Sequence, residues 1–378
     1  MIHVALLLGC AVILYLACEW FVNAVEWLGL QLKVGPVAVG TILAAVGTAL
    51  PESVVTLVAV TGSGAHGADI GVGAALGGPL VVATVAYATV GATLLVRRWT
   101  ALRAARAGSV ARPAGSPDSA GPAARPAGSA EVEPPIGTCS ASEVAGPGPV
   151  VLTGVLPEAA SKRLARDQTC FLVIFVLKVG LGLVAFVWKP WLGLLFFAAY
   201  AVYFWRELRG GGEAAADELE PLKLQPRREV PSRLAVLTQT AVTLVVIFVA
   251  SQVFVGQLEW AGPAMGLPPV VVALLLSPIA TELPETMNAL IWVRQGKTHL
   301  ALANISGAMM IQATIPSGIG LVFTPWMFDT PLMLAGAATL AAVIYLRVLL
   351  RAGRLTAGRL AGAAAFYAAF AVALGVVL

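Results

Sequence analysis

Apolar residues along this chain gather into runs long enough to cross a bilayer, separated by polar breaks. The runs cover roughly residues 2–27, 34–60, 68–96, 169–188, 190–208, 234–258, 267–293, 299–325, 330–349 and 359–378. About 20 apolar residues in an α-helix match a hydrocarbon core of about 30 Å. The pattern therefore predicts an all-α integral membrane protein with about ten transmembrane helices.

The polar breaks are unequal. Most are a few residues, but 97–168 is a long stretch rich in Ala, Pro, Gly and Ser, and 209–232 is a shorter polar loop. The long stretch lacks the apolar content needed to offset chain entropy, so most of it is expected to be disordered, with a short helix near 157–168. The layout that follows is a first half at 1–96, the long loop at 97–168, two helices at 169–208, a loop at 209–232 and a second half at 233–378. Hydrophobic residues make up 58% of the 378 and charged residues 12%, about half the charge of a soluble protein. Of the 24 Lys and Arg, 22 fall in or beside alternate loops, with Lys189 on the other side and Lys178 inside an apolar run. By the positive-inside rule the long loops are expected in the cytoplasm, both termini outside, and the protein in the plasma (inner) membrane.

The halves also resemble each other. Shifting the chain by 233 positions aligns 19–52 with 252–285 at 13 of 34 positions without a gap, including Glu26/Glu259, Trp27/Trp260, Thr48/Thr281, Pro51/Pro284 and Glu52/Glu285. Five helices precede the second copy, so the copies should run in opposite directions through the membrane. Two inverted five-helix repeats are the expected architecture, of the kind that supports alternating access.

The strongest chemistry lies in the repeat. Residues 48–52 read T-A-L-P-E and 281–285 read T-E-L-P-E. Each proline lacks an N–H, which should free the carbonyl four residues earlier, on Gly47 and Ala280. Thr48 and Glu52 share a helix face, as do Thr281 and Glu285. A carboxylate, a hydroxyl and a bare carbonyl in each copy form an all-oxygen set suited to hard cations. Glu282 adds a third carboxylate. A carboxylate in a lipid-buried helix costs roughly 3 kcal/mol, and finding one at matching depth in both copies argues for a paired site over a helix kink with a snorkelling glutamate. Glu19 and Glu26 lie on one face of the first run and fit ion pairing better than ion entry.

V-G-T-A-L-P-E-S and I-A-T-E-L-P-E-T resemble the α-repeats of the cation/calcium antiporter superfamily, the sodium/calcium exchanger-like membrane proteins. The resemblance covers residues 19–95 and 252–325, together with the helix layout. It implies a Ca²⁺/cation antiporter in which Glu52 and Glu285 coordinate the ion and the second, third, seventh and eighth runs enclose it. Thr48, Thr281, Glu282, Asn304 and Gln312 are the further candidate ligands. The chain departs from the family's G-N-x-x-G-S-N motif, which falls on 73–79 and 303–309. Asn304 keeps its first asparagine while Ala74 does not, and Pro79 and Met309 replace its last. The motif serines beside L-P-E are Ala49 and Glu282.

Three readings follow. The first is a secondary antiporter exchanging Ca²⁺ or a related cation for Na⁺ or H⁺. The second is a scaffold of the same fold that has lost exchange and serves as a membrane interaction protein. The third is a transporter of another cation. The expected partners are inorganic cations and the lipid bilayer, with no nucleic acid. No phosphate-binding loop, nucleophile triad or soluble-type metal motif occurs, so no enzyme activity and no resident cofactor are expected; the cations are substrates. Cys10, Cys18, Cys139 and Cys170 have no pairing or ligand spacing. His66 and His299 are read as interfacial, Asp69 and Asp329 as solvated, and Trp188, Trp191 and Trp326 as an interfacial belt.

Overall fold

A computed structural model describes residues 2–35, 38–61, 67–110, 152, 156, 158–209, 219–264, 266 and 272–377. Most of the Ala/Pro/Gly/Ser-rich stretch, His66 and Cys139 lie outside the described residues. No strand occurs among those described.

The helices follow the apolar runs. In chain order they are α1 (Ile2–Gln31), α2 (Ala45–Thr61), α3 (Gly67–Val81), α4 (Tyr87–Val110), α5 (Glu158–Gly182), α6 (Lys189–Arg209), α7 (Arg233–Ala264), α8 (Ser277–Thr281), α9 (Leu283–Arg294), α10 (Thr298–Phe323), α11 (Thr330–Arg351), α12 (Ala357–Ala361) and α13 (Ala364–Val377). Six stretches among the described residues are long and apolar enough to cross a membrane: Leu8–Gln31, Gly71–Ala104, Arg233–Phe254, Thr298–Phe323, Thr330–Arg351 and Ala357–Val377. The chain is an all-helical integral membrane protein.

Among the described residues, three π-helical segments interrupt the regular winding: Val39–Ala44 before α2, Val82–Ala86 between α3 and α4, and Val272–Leu276 before α8. Such segments add one residue to a turn and are common at functional sites. Two of them precede the two T-x-L-P-E motifs, so the repeat extends to backbone winding.

α10 forms the centre. It is buried along nearly its whole length, as expected of a helix whose apolar residues are spread round all its sides, and most of its polar side chains are buried with them. It packs against α2, α6 and α9, while α1 lies along α7. Two glycines permit the closest crossing. A Cβ on Gly307 would sit 2.2 Å from the Thr41 carbonyl oxygen, and one on Gly40 would sit 2.9 Å from the Leu300 carbonyl oxygen. The π segment before α2 therefore lies directly on the backbone of α10.

Several expectations change. Residues 158–168 belong to α5 and are continuous with the apolar run after them, because Glu158 places a negative charge in the first turn and no helix breaker separates the two parts. Residues 97–110 likewise extend α4 beyond its run. Trp188 and Trp191 are exposed, but Trp326 is fully buried. Its ring lies over Gly320, where a Cβ would be 2.2 Å from it, and its indole donates to the Lys178 carbonyl at 3.1 Å. Trp326 is thus a core residue. Asp329 caps α11, accepting from the Leu332 N–H at 3.0 Å. Glu26 accepts from the Trp292 indole at 2.8 Å and pairs with Lys297, while Glu19 pairs with Lys223. Both glutamates therefore tie α1 to neighbouring segments.

Candidate metal-ion site

The second motif is the better described. After the π segment Val272–Leu276, α8 runs only from Ser277 to Thr281, and the chain breaks at Glu282 (φ −87°, ψ 6°) before α9 starts at Leu283. The break has a local cause. Pro284 lies in the first turn of α9, where a missing N–H costs nothing, but it cannot continue the helix from α8. The Glu282 N–H still bonds to the Pro278 carbonyl at 3.0 Å. Discontinuous helices at a midplane site are how transporters expose main-chain groups to ions.

Glu282 and Glu285 flank this break and are both buried. Gln312 on α10 donates from its side-chain nitrogen to a carboxylate oxygen of Glu282. Asn304, also on α10, donates at 3.1 Å to the backbone carbonyl of Glu285, not to its carboxylate. Four of the residues expected from the sequence, Glu282, Glu285, Asn304 and Gln312, thus stand on facing stretches of the broken segment and α10. Thr281 hydrogen-bonds back to the Pro278 carbonyl at 3.2 Å.

In the first half, Thr48 is buried on α2 and its hydroxyl donates to the Ala44 carbonyl at 3.0 Å. Both threonine hydroxyls spend their proton on their own helix, which leaves an oxygen lone pair for a cation. Glu52 lies on α2, and its side chain falls outside the described residues. α2 and α9 are neighbours, and α3 reaches the second motif through Gly77, where a Cβ would sit 2.5 Å from Pro278.

Two polar residues on these helices escaped the sequence reading. Asn288, one turn after Glu285 on α9, is fully buried, and neither amide atom has a hydrogen-bond partner among the described residues. Thr56, one turn after Glu52 on α2, is likewise buried with an unpartnered hydroxyl. Buried polar atoms are nearly always satisfied, so these call for an ion, water or moving partner. Their spacing of three and four residues from the motif glutamates was the available signal.

A second polar cluster lies where α5, α6 and α10 meet. Arg166 pairs with Asp167 at 3.0 Å and with Glu207, Ser306 donates to Asp167 at 3.3 Å, and Thr41 donates to Glu207 at 3.4 Å. A small cavity lined by Arg163, Asp167, His299 and Ser306 adjoins it. Asp167 precedes the apolar run of α5, and burial pushes its carboxyl up to about 6 despite Arg166 beside it. His299 is half-buried in this lining, at the start of α10.

Comparison with known proteins adds the following. The family described as Sodium/calcium exchanger protein matches residues 2–105 and 236–377. A relative named "Putative antiporter CaxA", from Alkalimonas amylolytica, is 25% identical over 140 residues, which are 36% of this chain and 43% of that protein. The match therefore spans less than half of that relative's length. Among solved structures, the sodium-calcium exchanger NCX_Mj soaked with 2.5 mM Na⁺ and 0.1 mM Ca²⁺ superposes with a TM-score of 0.64 at 17% identity, covering 99% of this chain and 98% of that one. The same exchanger soaked with 2.5 mM Na⁺ and 0.1 mM Sr²⁺ gives 0.64 at 17% identity over 98% of each chain. At this identity the likeness is one of fold.

Proposed function

The chain belongs to the sodium/calcium exchanger protein family, and on that premise we propose that it is a secondary antiporter exchanging Ca²⁺, or a related cation, for Na⁺ or H⁺. The observation that carries the reading is the broken segment around Glu282, where two buried carboxylates, Glu282 and Glu285, face Asn304 and Gln312 on α10. Two buried carboxylates three residues apart favour a cation or a proton beside them. Glu52 and Glu285 are the central ligands in this reading, with oxygen from Thr48 and Thr281 and with Glu282, Asn304 and Gln312 at the periphery.

The ten spans form two inverted repeats, with both termini outside and the long loops in the cytoplasm. The 233-residue repeat, the π segment before each motif and the one-sided Lys and Arg support this layout. Rocking one set of helices against the other would expose the site to each side in turn.

One observation favours a second reading. Ala74, Pro79 and Met309 offer no side-chain oxygen where the resembling family has asparagine. A scaffold of this fold without exchange, or a carrier of another cation, would carry such changes. Uptake of radioactive Ca²⁺ into vesicles holding the purified chain, with Na⁺ and pH gradients imposed separately, decides between them. Uptake driven by either gradient supports antiport and identifies the counter-ion; no uptake under both favours the second reading.

A further inference from the structure

Lys178 is a cation buried inside an apolar run. It lies on α5 and is fully buried. Its ammonium donates to the backbone carbonyl of Ala75 on α3 at 2.7 Å and stands 4.7 Å from the centre of the Phe175 ring. Ala75 is four residues before Pro79, which is inside α3. In a regular helix the Ala75 carbonyl would accept from the N–H of residue 79, and proline has none. The ammonium fills the place that Pro79 leaves open.

The lysine is also anchored through its main chain. Its carbonyl accepts from the Trp326 indole at 3.1 Å, and the Trp326 carbonyl accepts from the Lys189 ammonium at 2.8 Å. Trp326 holds a left-handed backbone (φ 49°) to do so, a conformation that bulky residues rarely adopt. Two residues beyond Ala75, Gly77 lets α3 settle against Pro278. The Pro278 carbonyl in turn receives the Glu282 N–H and the Thr281 hydroxyl. The turn of α3 that holds the ammonium therefore borders the acidic segment.

A main-chain carbonyl released by a proline near buried carboxylates is a ligand type that transported cations use. A charged side chain fully buried within a membrane protein is costly and marks a functional role by default. We propose that Lys178 is a built-in cation: its ammonium takes the place of a bound monovalent ion on α3 and balances part of the negative charge of the Glu282–Glu285 segment. The consequence for transport rests on the antiport reading: the exchanger moves one monovalent ion fewer per Ca²⁺ than the same site would without the lysine.

The test uses the purified full-length chain, melted in NaCl, KCl or choline chloride. Wild type should melt alike in all three. Lys178→Met should melt higher in NaCl or KCl than in choline chloride, by about 2 °C once the ion is in tenfold excess over its Kd. Identical melting of Lys178→Met in all three salts overturns the proposal. The double variant Pro79→Ala/Lys178→Met separates charge from plugging, because alanine restores the missing N–H. If the lysine serves only to satisfy the carbonyl, the double variant will match wild type in every salt, which also overturns the proposal. If the charge matters, the salt response persists, and this variant decides the question should the single one fail to fold. Failure of the double variant in every salt counts against the proposal, since an added ion should replace the lost charge. Ca²⁺ flux by wild type is measured separately. Absent flux with a salt response in the variants removes the antiport reading and leaves the built-in cation; flux without a salt response does the reverse.

Discussion

The Asn304 side chain donates to the main-chain carbonyl of Glu285 at 3.1 Å, so α10 holds the backbone of the broken segment in place. Asn304→Ala removes one buried hydrogen bond and leaves a carbonyl short of a donor. It should cost about 1 kcal/mol of stability and weaken Ca²⁺ binding less than loss of the carboxylate does. Thermal melting and Ca²⁺ titration of the same preparation check both.

Glu52→Gln and Glu285→Gln each keep side-chain shape and remove a charge. Transport by either variant should fall to background while size-exclusion profiles stay those of wild type. Full exchange by both variants in a vesicle assay would remove them from the site.

Asn288 offers a cleaner separation of function from folding. Its amide is buried without a partner among the described residues, and replacing an unsatisfied polar group by an apolar one of the same shape is close to neutral for stability. Asn288→Leu should therefore melt at or above the wild-type temperature yet bind Ca²⁺ at least about tenfold more weakly, a loss of about 1.4 kcal/mol. A lower melting point with unchanged Ca²⁺ affinity would make Asn288 a packing residue.

The crossing of α10 with the π segment before α2 tolerates no side chain at Gly307. A methyl group there meets the Thr41 backbone at 2.2 Å, and main chain cannot move aside as a side-chain tip can. Gly307→Ala should destabilise by about 1–3 kcal/mol. Gly256→Ala on α7, with nothing within 4 Å of the new methyl, should be neutral or stabilising by up to about 1 kcal/mol. Melting of the two variants side by side measures the contrast.

Asp167 sets a pH dependence of opposite sign to that of a well-paired carboxylate. Burial raises its folded-state value to about 6 from an ordinary 3.8, so between these values the folded protein binds more protons than the unfolded one. Stability from this group falls as pH rises from about 4 through 6. Asp167→Asn should flatten melting temperature against pH across that window. An unchanged slope would show that Arg166 and Arg163 already neutralise the carboxylate.

Some of this was legible before any fold was known, and the reason is contrast. Prolines and carboxylates are conspicuous inside apolar runs, so the paired motifs, Thr48, Thr281 and the helical class all stood out. Asn288 did not, because one amide in a long run looks like many others until its burial is known. Lys178 and Pro79 were each visible as oddities, but the bond that relates them, from Lys178 to the Ala75 carbonyl, spans 103 residues, and nothing local announces it. Trp326 was misplaced in an interfacial belt because aromatic residues at the edge of a run look alike whether they face lipid or pack on a glycine.

The sequence by itself determined that the chain is helical and membrane-embedded, that its halves repeat, and that each half carries a proline beside a carboxylate. Those properties follow from hydropathy, from the missing proline N–H and from the cost of burying charge, all of which act locally. Only the tertiary structure decided which oxygens stay free. It turned Asn304 toward main chain, set Gln312 on Glu282, closed the Ala75 carbonyl with an ammonium from α5 and left Asn288 buried without a partner among the described residues. Hydrogen-bond satisfaction depends on the neighbours that other helices supply, and those neighbours exist only once the helices have packed.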